Sequence, residues 1–291
     1  MFEGVYTALI TPQKNGKIDY AAMEKLIQSQ ISAGVAGIVP CGSTGESSVL
    51  SHKEHQDVIE FCVKGAKGKM KVLAGSGSNS TAEAIALTKF AKDVGCDGAL
   101  IVSPYYNKPT QKGLYLHFKT IADTVDIPIV IYNIAGRTAV NIEPETIAKL
   151  AKDAKNIVGV KEASGSLDQM SRIKALTDKN FELISGDDVL TLPILAIGGV
   201  GVISVLSNII PKDCVALLDA FKKGDLAKAQ EIHYKLLPLI KALFIETNPI
   251  PVKTAAALLK MCDLDFRLPM CEMSDEHKAV LEQELKKLNL M

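Results

Sequence analysis

Eight short runs of apolar, mostly β-branched residues recur along the chain, separated by segments whose apolar residues fall at helical spacing. This alternation is typical of parallel strands that are joined by helical crossovers. The runs lie at 5–10, 37–40, 71–74, 98–102, 129–132, 157–160, 182–185 and 201–205. Eight such units predict an α/β fold of the (β/α)₈ barrel type, which commonly takes about 250 residues.

The strand pattern stops after Ser207, and three amphipathic segments without strand character follow it. We therefore predict a catalytic barrel over residues 1–224 and a small C-terminal α-helical domain over residues 225–291. Predicted helix starts are marked by serines followed at the third position by Glu or Gln, since such pairs form capping boxes. The pairs are Ser51 with Glu54, Ser80 with Glu83, and Ser166 with Gln169.

Charge and cysteine content narrow the function classes. The 33 basic and 33 acidic side chains cancel, so no net field attracts the chain to nucleic acid. The six cysteines include no C-x-x-C pair, which argues against a zinc knuckle or a disulfide framework and favours a reducing cytoplasm. No basic segment precedes the first apolar run, so we expect no signal peptide.

Residues 189–211 carry no charge, a stretch long enough to cross a bilayer core of about 30 Å. Pro193 and the glycines at positions 198, 199 and 201 would interrupt a helix there. We therefore predict a buried helix followed by a buried strand, and no contact with a membrane.

Polar groups at the carboxyl ends of barrel strands carry the chemistry of this fold. Lys161 follows the largely apolar run 156–160. An amine there would be desolvated and its pKa lowered, so that it could attack a ketone and form an imine. A lysine that extends to water or pairs with Glu162 is the alternative.

Two tyrosines and two hydroxyl residues are candidates for a proton relay beside that amine. Tyr132, Tyr106 and a hydroxyl of Ser43 or Thr44 follow different predicted strands. The turn GSTGE would also present backbone N–H groups to a carboxylate. Tyrosines in an amphipathic wall and a tight strand-to-helix turn are the alternatives.

Charged residues follow the fifth and seventh predicted strands, where they could bind a substrate or a metal ion. Arg137 offers a planar guanidinium to a substrate carboxylate, or lies on the surface. Asp187 and Asp188 resemble a metal pair, but no further ligand follows the neighbouring strands, so we predict a role at a helix N-terminus.

The five histidines form no complete metal site. His52 and His55 have the spacing of zinc ligands on one helical turn, yet no third ligand is apparent, so we predict no metal. His117, His233 and His277 fall in amphipathic segments and are predicted to be surface or interface residues.

Seven strings in the right order carry a family resemblance over essentially the whole chain. CGSTGES, SPYYNKPTQ, YNIAGRT, GVKEASG, SGDD, GVISV and NPIPVK resemble the dihydrodipicolinate synthase family of class I pyruvate aldolases. The resemblance implies condensation of pyruvate with L-aspartate 4-semialdehyde, in the diaminopimelate route to L-lysine. It also implies a homotetramer, which is a dimer of dimers. The covalent intermediate would be an imine of pyruvate, and no cofactor would be needed.

The resemblance assigns the site residues one by one. Lys161 would form the Schiff base, Tyr132 would be the general acid and base, and Thr44 and Ser43 would be the hydroxyls of the carboxylate-binding turn. Tyr106 would reach the neighbouring subunit's site, and Arg137 would receive the carboxylate of the aldehyde substrate. Gly186 and Ile203 would contact the pyruvyl group through their backbone atoms.

Two departures and one second site follow from the same resemblance. Ser43 stands where threonine is usual, and Ala135 replaces a proline; both are expected to reduce precision rather than remove the chemistry. A regulatory L-lysine pocket is implied by Ser47, Ser48, His52, His55, Asn79, Glu83 and Tyr105.

Two other functions remain open from the sequence. A related class I aldolase, such as N-acetylneuraminate lyase or a 2-keto-3-deoxy sugar acid aldolase, would share the imine but take a longer aldehyde, and Arg137 argues against it. A ligand sensor that binds a keto acid without turnover is the other, and the complete set of Lys161, Tyr132, Thr44 and Tyr106 argues against that.

Overall fold

The computed structural model describes all residues, Met1–Met291. Eight parallel strands are hydrogen-bonded in the order β1-β10-β9-β8-β7-β6-β5-β4, which closes into a barrel and confirms the predicted fold. They are β1 Gly4–Ala8, β4 Gly37–Val39, β5 Lys71–Gly75, β6 Gly98–Val102, β7 Ile129–Asn133, β8 Ile157–Glu162, β9 Glu182–Ser185 and β10 Gly201–Ser204. The predicted runs match these strands to within two residues at each end.

A small hairpin that the sequence did not predict, β2 Gln13–Lys14 with β3 Lys17–Ile18, follows the first strand. Twelve α-helices complete the chain. They are α1 Tyr20–Ala33, α2 His52–Ala66, α3 Thr81–Asp93, α4 Gln111–Thr124, α5 Ala135–Thr138, α6 Pro144–Asp153, α7 Leu167–Leu176, α8 Thr191–Ala196, α9 Pro211–Lys222, α10 Leu226–Ala242, α11 Ile250–Leu258 and α12 Asp275–Lys287. Short 3₁₀ turns lie at Ser47–Val49, Asp188–Leu190 and Leu206–Asn208.

All three predicted capping serines accept a hydrogen bond from the amide three residues on. Only Ser51 with Glu54 forms the reciprocal box. In the other two pairs the Glu or Gln side chain bonds elsewhere: Glu83 accepts from Ser78, and Gln169 reaches Glu162. In these two pairs the serine cap is therefore present, while the Glu or Gln side chain bonds to another polar partner.

The chain divides into two compact units, and the first comprises residues 1–4 and 71–203. It holds the consecutive parallel pairs from β5 to β10, with helices α3 to α8. Its N-terminal residues are tied down by Glu182, whose carboxylate accepts from the Phe2 amide at 2.9 Å.

The second unit comprises residues 5–70 and 204–291. It pairs β1 with β4 and packs α10 against α9 and α12. Asn208 joins distant segments of this unit, because its side chain accepts from the Ile10 amide at 3.1 Å and donates to the Ala8 carbonyl at 2.8 Å. The predicted boundary at residue 224 falls at the turn between α9 and α10.

The uncharged stretch folds as predicted, into the 3₁₀ turn at Asp188–Leu190, the short buried helix α8 and the strand β10. No helix in the chain has the length and apolarity to span a membrane. All six cysteines are free.

Candidate active site

Lys161 and Tyr132 are neighbours across two paired strands. β8 continues through Glu162, so Lys161 lies inside the strand and pairs in register with Tyr132 on β7. The Lys161 Nζ lies 4.1 Å from the centroid of the tyrosine ring. The sequence predicted both residues for one site, and the ladder brings them together.

The amine of Lys161 is desolvated. The residue is 6% exposed, and burial lowers its pKa to about 7. The negative charge of Asp188 opposes this shift, while the positive charge of Arg137 adds to it. A large fraction of the amine is therefore neutral and nucleophilic near neutral pH.

The phenol of Tyr132 has a pKa that is shifted in the opposite direction. Burial raises its pKa to about 12, with Arg137 lowering it and Glu162 raising it further. The phenol therefore keeps its proton at neutral pH. A hydroxyl of this kind donates a proton to a developing oxyanion and takes one back in a later step.

Gly186 leaves room for the lysine arm. Its amide donates to the Glu162 carbonyl at 2.8 Å, which sets the end of β9 against β8. A Cβ at this position would lie 3.2 Å from the Lys161 Cε and 2.7 Å from the Ala163 Cβ. Any side chain larger than glycine would therefore displace the residues around the amine.

A buried polar network on the other side of β7 and β8 was not predicted from the sequence. Glu162 is fully buried and accepts from the Asn133 Nδ2 at 3.0 Å, the Ser164 amide at 2.7 Å and the Gln169 Nε2 at 2.9 Å. Asn133 and Glu162 pair in the register position after Tyr132 and Lys161. Because side chains alternate along a strand, this network holds the two strands from the face opposite the amine. It excludes the alternative in which Lys161 forms an ion pair with Glu162.

In the second unit, the turn after β4 presents the predicted hydroxyls. Thr44 is 4% exposed and its Oγ1 accepts from the Asn248 Nδ2 at 3.0 Å, while Ser43 is half-buried. The amides of Gly45 and Glu46 donate within the turn, to the carbonyls of Gly42 and Ser43.

A buried ion pair supports the same turn, and no sequence pattern indicated it. Lys253 on α11 donates to Glu46 at 2.5 Å, with side chains 0% and 1% exposed. Lys253 also donates to the Asp265 carbonyl at 2.6 Å, and its Nζ lies 4.7 Å from the Phe266 ring centroid. Burial raises the pKa of Glu46, and the charge of Lys253 opposes that shift. Both residues do lie in strings that carry the family resemblance, CGSTGES and NPIPVK.

The other predicted substrate residues differ in their exposure to solvent. Arg137 lies exposed on α5, and its charge lowers the pKa of both Lys161 and Tyr132. Ile203 is buried on β10. Tyr106 is 90% exposed and has a positive φ of 71°, an uncommon conformation for a bulky residue.

The residues predicted to bind L-lysine fall into one group in each unit. In the first unit, the Asn79 side chain donates to the Tyr105 carbonyl at 3.2 Å, and Glu83 accepts from the Ser78 hydroxyl. In the second unit, Ser47 and Ser48 lie in a 3₁₀ turn, and His52 and His55 lie in the first turn of α2, with His52 exposed and His55 buried.

Two predictions about polar residues are refined by the structure. His117 was predicted to be a surface or interface residue, but it is 5% exposed, and burial lowers its pKa to about 4. The prediction was wrong because His117 lies on the inner face of α4 beside Phe118. Asp187 caps the 3₁₀ turn as predicted, by accepting from the Val189 amide at 2.9 Å. No group of three or more His, Cys, Asp or Glu side chains is arranged to hold a metal ion.

Comparison with known proteins decides the family. The sequence model of the Dihydrodipicolinate synthetase family matches residues 1–288. The chain belongs to this family. A protein of Endomicrobium trichonymphae named 4-hydroxy-tetrahydrodipicolinate synthase is 70% identical over 291 residues, which covers 100% of both chains. The predicted family and the prediction of a lyase are thereby confirmed.

Two solved structures of the family match closely and contain small molecules. The dihydrodipicolinate synthase of Cyanidioschyzon merolae with lysine bound has a TM-score of 0.97 and 42% identity, covering 100% of this chain and 99% of its own. The chloride-inhibited dihydrodipicolinate synthase of Acinetobacter baumannii, complexed with pyruvate, has a TM-score of 0.97 and 39% identity, covering 100% of both chains.

Proposed function

We propose that this chain is a 4-hydroxy-tetrahydrodipicolinate synthase, which condenses pyruvate with L-aspartate 4-semialdehyde through an imine on Lys161. The observation that carries the proposal is the buried Lys161 amine, with a pKa lowered to about 7, above the ring of Tyr132. The family relatives named for this activity and the pyruvate complex of the Acinetobacter baumannii protein support the choice of substrates.

The first half of the reaction joins pyruvate to the amine. The neutral Lys161 amine attacks the keto carbon, and the carbonyl oxygen takes a proton from the Tyr132 phenol. The Tyr132 phenolate then takes the proton that the nitrogen loses and passes it to the new hydroxyl group, which leaves as water and gives an iminium ion. Loss of a methyl proton then sends an electron pair toward the iminium nitrogen, which gives an enamine nucleophile. Thr44 and Tyr106 would exchange these protons with Tyr132.

The second half forms the new carbon–carbon bond. The enamine carbon attacks the aldehyde carbon of aspartate semialdehyde, whose oxygen becomes a hydroxyl by taking a proton. The substrate's amino group then displaces Lys161 from the iminium carbon, which closes the ring and frees the enzyme.

The remaining residues hold the two carboxylates. The amides and hydroxyls of Ser43 and Thr44 would bind the pyruvate carboxylate, and backbone at Gly186 and Ile203 would contact the pyruvyl group. The exposed guanidinium of Arg137 would receive the carboxylate of the aldehyde substrate, because its planar donors match a carboxylate in a bidentate pair. No cofactor takes part in this scheme.

The wider setting is part of the same proposal. The reaction would serve the diaminopimelate route to L-lysine in the cytoplasm, carried out by a homotetramer in which the exposed Tyr106 enters the partner's site. Residues 225–291 would form the C-terminal helical domain beside the barrel of residues 1–224. L-lysine would inhibit the enzyme through the seven residues from Ser47 to Tyr105 named above, as the lysine complex of the Cyanidioschyzon merolae protein supports.

Borohydride reduction in the presence of pyruvate tests the central step. We expect one covalent adduct, on Lys161, located by peptide mass mapping. Lys253 serves as an internal control, because it is also buried, but it is paired with Glu46 and should stay unmodified. A chain without an adduct at Lys161 would end the proposal. Turnover of aspartate semialdehyde but not of sialic acid would separate the synthase from a sugar-acid aldolase.

A further inference from the structure

Thr44 has a hydrogen-bond partner from the distant C-terminal segment. The Asn248 Nδ2 donates to the Thr44 Oγ1 at 3.0 Å, and the two residues are 204 positions apart in the chain. Both are nearly buried, at 5% and 4% exposure. The bond therefore has little competition from water.

This contact restricts where the Thr44 proton can point. A hydroxyl has one proton and two acceptor lone pairs. When the Asn248 amide donates to one lone pair, the hydroxyl proton cannot be directed at Asn248. It must point to another acceptor, so Thr44 is set as a proton donor toward its remaining neighbours.

The structure assigns to Asn248 the role of a positioning residue, which holds the Thr44 hydroxyl with its proton directed away from α11 and toward bound substrate. The assignment rests on the proposed function, since it concerns a hydroxyl of the proposed relay. In this assignment Asn248 acts through Thr44, to which its side chain donates.

A second contact fixes the same segment to the same turn. Lys253 lies five residues after Asn248, on α11, and donates to Glu46, two residues after Thr44. The segment formed by Asn248 and the start of α11 is therefore attached to the turn at two points. Asn248 bonds to Thr44, and Lys253 pairs with Glu46. Two attachments restrict the movement of the Asn248 amide relative to the Thr44 hydroxyl more than one contact would.

The substitutions Asn248→Asp and Asn248→Ala separate donation from simple contact. An aspartate carboxylate cannot donate and would accept a hydrogen bond from the Thr44 hydroxyl, whereas alanine leaves the hydroxyl free to donate elsewhere. We expect kcat to fall on the order of a hundredfold for Asn248→Asp and about tenfold for Asn248→Ala, since acid–base groups contribute about 10²–10⁴ in rate. The KM for pyruvate should change less in the alanine variant than kcat does.

Two partial reactions locate the effect. Borohydride trapping of the pyruvate imine and exchange of pyruvate methyl protons in deuterated water, followed by NMR, both proceed without the aldehyde. We expect the alanine variant to form the imine to the same final extent as the native chain but to exchange methyl protons more slowly. Thr254→Val is the matched control, because it removes a buried hydrogen bond of the same helix, from Thr254 Oγ1 to the Ile250 carbonyl at 2.9 Å, without touching Thr44.

A double substitution keeps the test decisive if stability also changes. In a Thr44→Val background the hydroxyl is absent, so adding Asn248→Ala should lower kcat no further. An equal loss in both backgrounds would overturn the assignment, as would an Asn248→Asp variant at least as active as Asn248→Ala. Failure of the native chain to form any imine would instead overturn the proposed function.

Discussion

At the scale of single residues, the site depends on what burial does to two ionisable groups. Burial lowers the pKa of Lys161 to about 7 and raises that of Tyr132 to about 12. The shifts have opposite directions because desolvation disfavours the charged form of each, the ammonium of one and the phenolate of the other. The pair therefore contains a neutral nucleophile and a neutral acid at the same pH.

The lowered pKa of Lys161 predicts a pH dependence. The rate of imine formation should fall about tenfold for each unit below pH 7 and level off above it, because only the neutral amine attacks. Rapid mixing with pyruvate at each pH, followed by quenching into borohydride at one fixed condition, measures this rate.

Asp188→Asn provides the control for the pH profile. The charge of Asp188 raises the pKa of Lys161, so its removal should move the midpoint to lower pH. A midpoint near 10 in the native chain would show that the amine is not desolvated and would contradict the assignment.

At the scale of elements, the strand β8 is longer than its run of apolar residues. The apolar run ends at Val160, but β8 continues through Glu162, since Lys161 and Glu162 remain in register with β7 and β9. The extension points Lys161 and Glu162 to opposite sides of the sheet. One residue then serves the chemistry and the other the polar network that holds the strands.

The attachment of α11 to the turn after β4 gives a stability prediction. Lys253→Met leaves the Glu46 carboxylate buried without its cation, and breaking a buried pair from one side costs about 3–5 kcal/mol. Urea unfolding measures the loss. Adding Glu46→Gln should restore a large part of it, because no unpaired charge then remains.

A surface pair on a neighbouring helix is the control for this loss. Lys228→Met breaks the exposed pair with Glu231 on α10 and should cost less than about 1 kcal/mol. If Lys253→Met were no more costly than Lys228→Met, the buried pair would not fix the turn. Both variants replace lysine by methionine and remove one ion pair, and they differ in whether that pair is buried.

At the scale of the whole molecule, the proposed regulation by L-lysine draws on residues far apart in the chain. Its seven residues come from the turn after β4, the start of α2, the start of α3 and the loop after β6. The side chains proposed for it carry carboxylate, hydroxyl, amide and imidazole groups, which would suit an amino acid with a second amine.

Titration with L-lysine tests the regulation. We expect the rate of the native chain to fall as lysine rises to millimolar concentration. Glu83→Gln should raise the concentration needed for half inhibition, relative to its own uninhibited rate, because it removes the charge that would bind an ammonium group. A flat response of the native chain would contradict the proposal.

The sequence by itself determined the barrel, because eight apolar runs at regular spacing leave few other ways to bury their side chains. It also selected Lys161, Tyr132, Thr44 and Arg137 as candidates, since charged and hydroxyl residues at the ends of such runs are chemically conspicuous. The barrel and these candidates could be predicted because both depend on patterns among residues close together in the sequence.

Only the tertiary structure decided which polar groups meet. The sequence indicated neither the contact of Asn248 with Thr44 nor the pair of Lys253 with Glu46, because each joins positions more than 200 residues apart. The sequence also led to the prediction that His117 is a surface or interface residue, although the helix turns this side chain inward. The physical reason is that burial and hydrogen-bond geometry depend on the three-dimensional neighbours of a residue, which spacing along the chain does not specify.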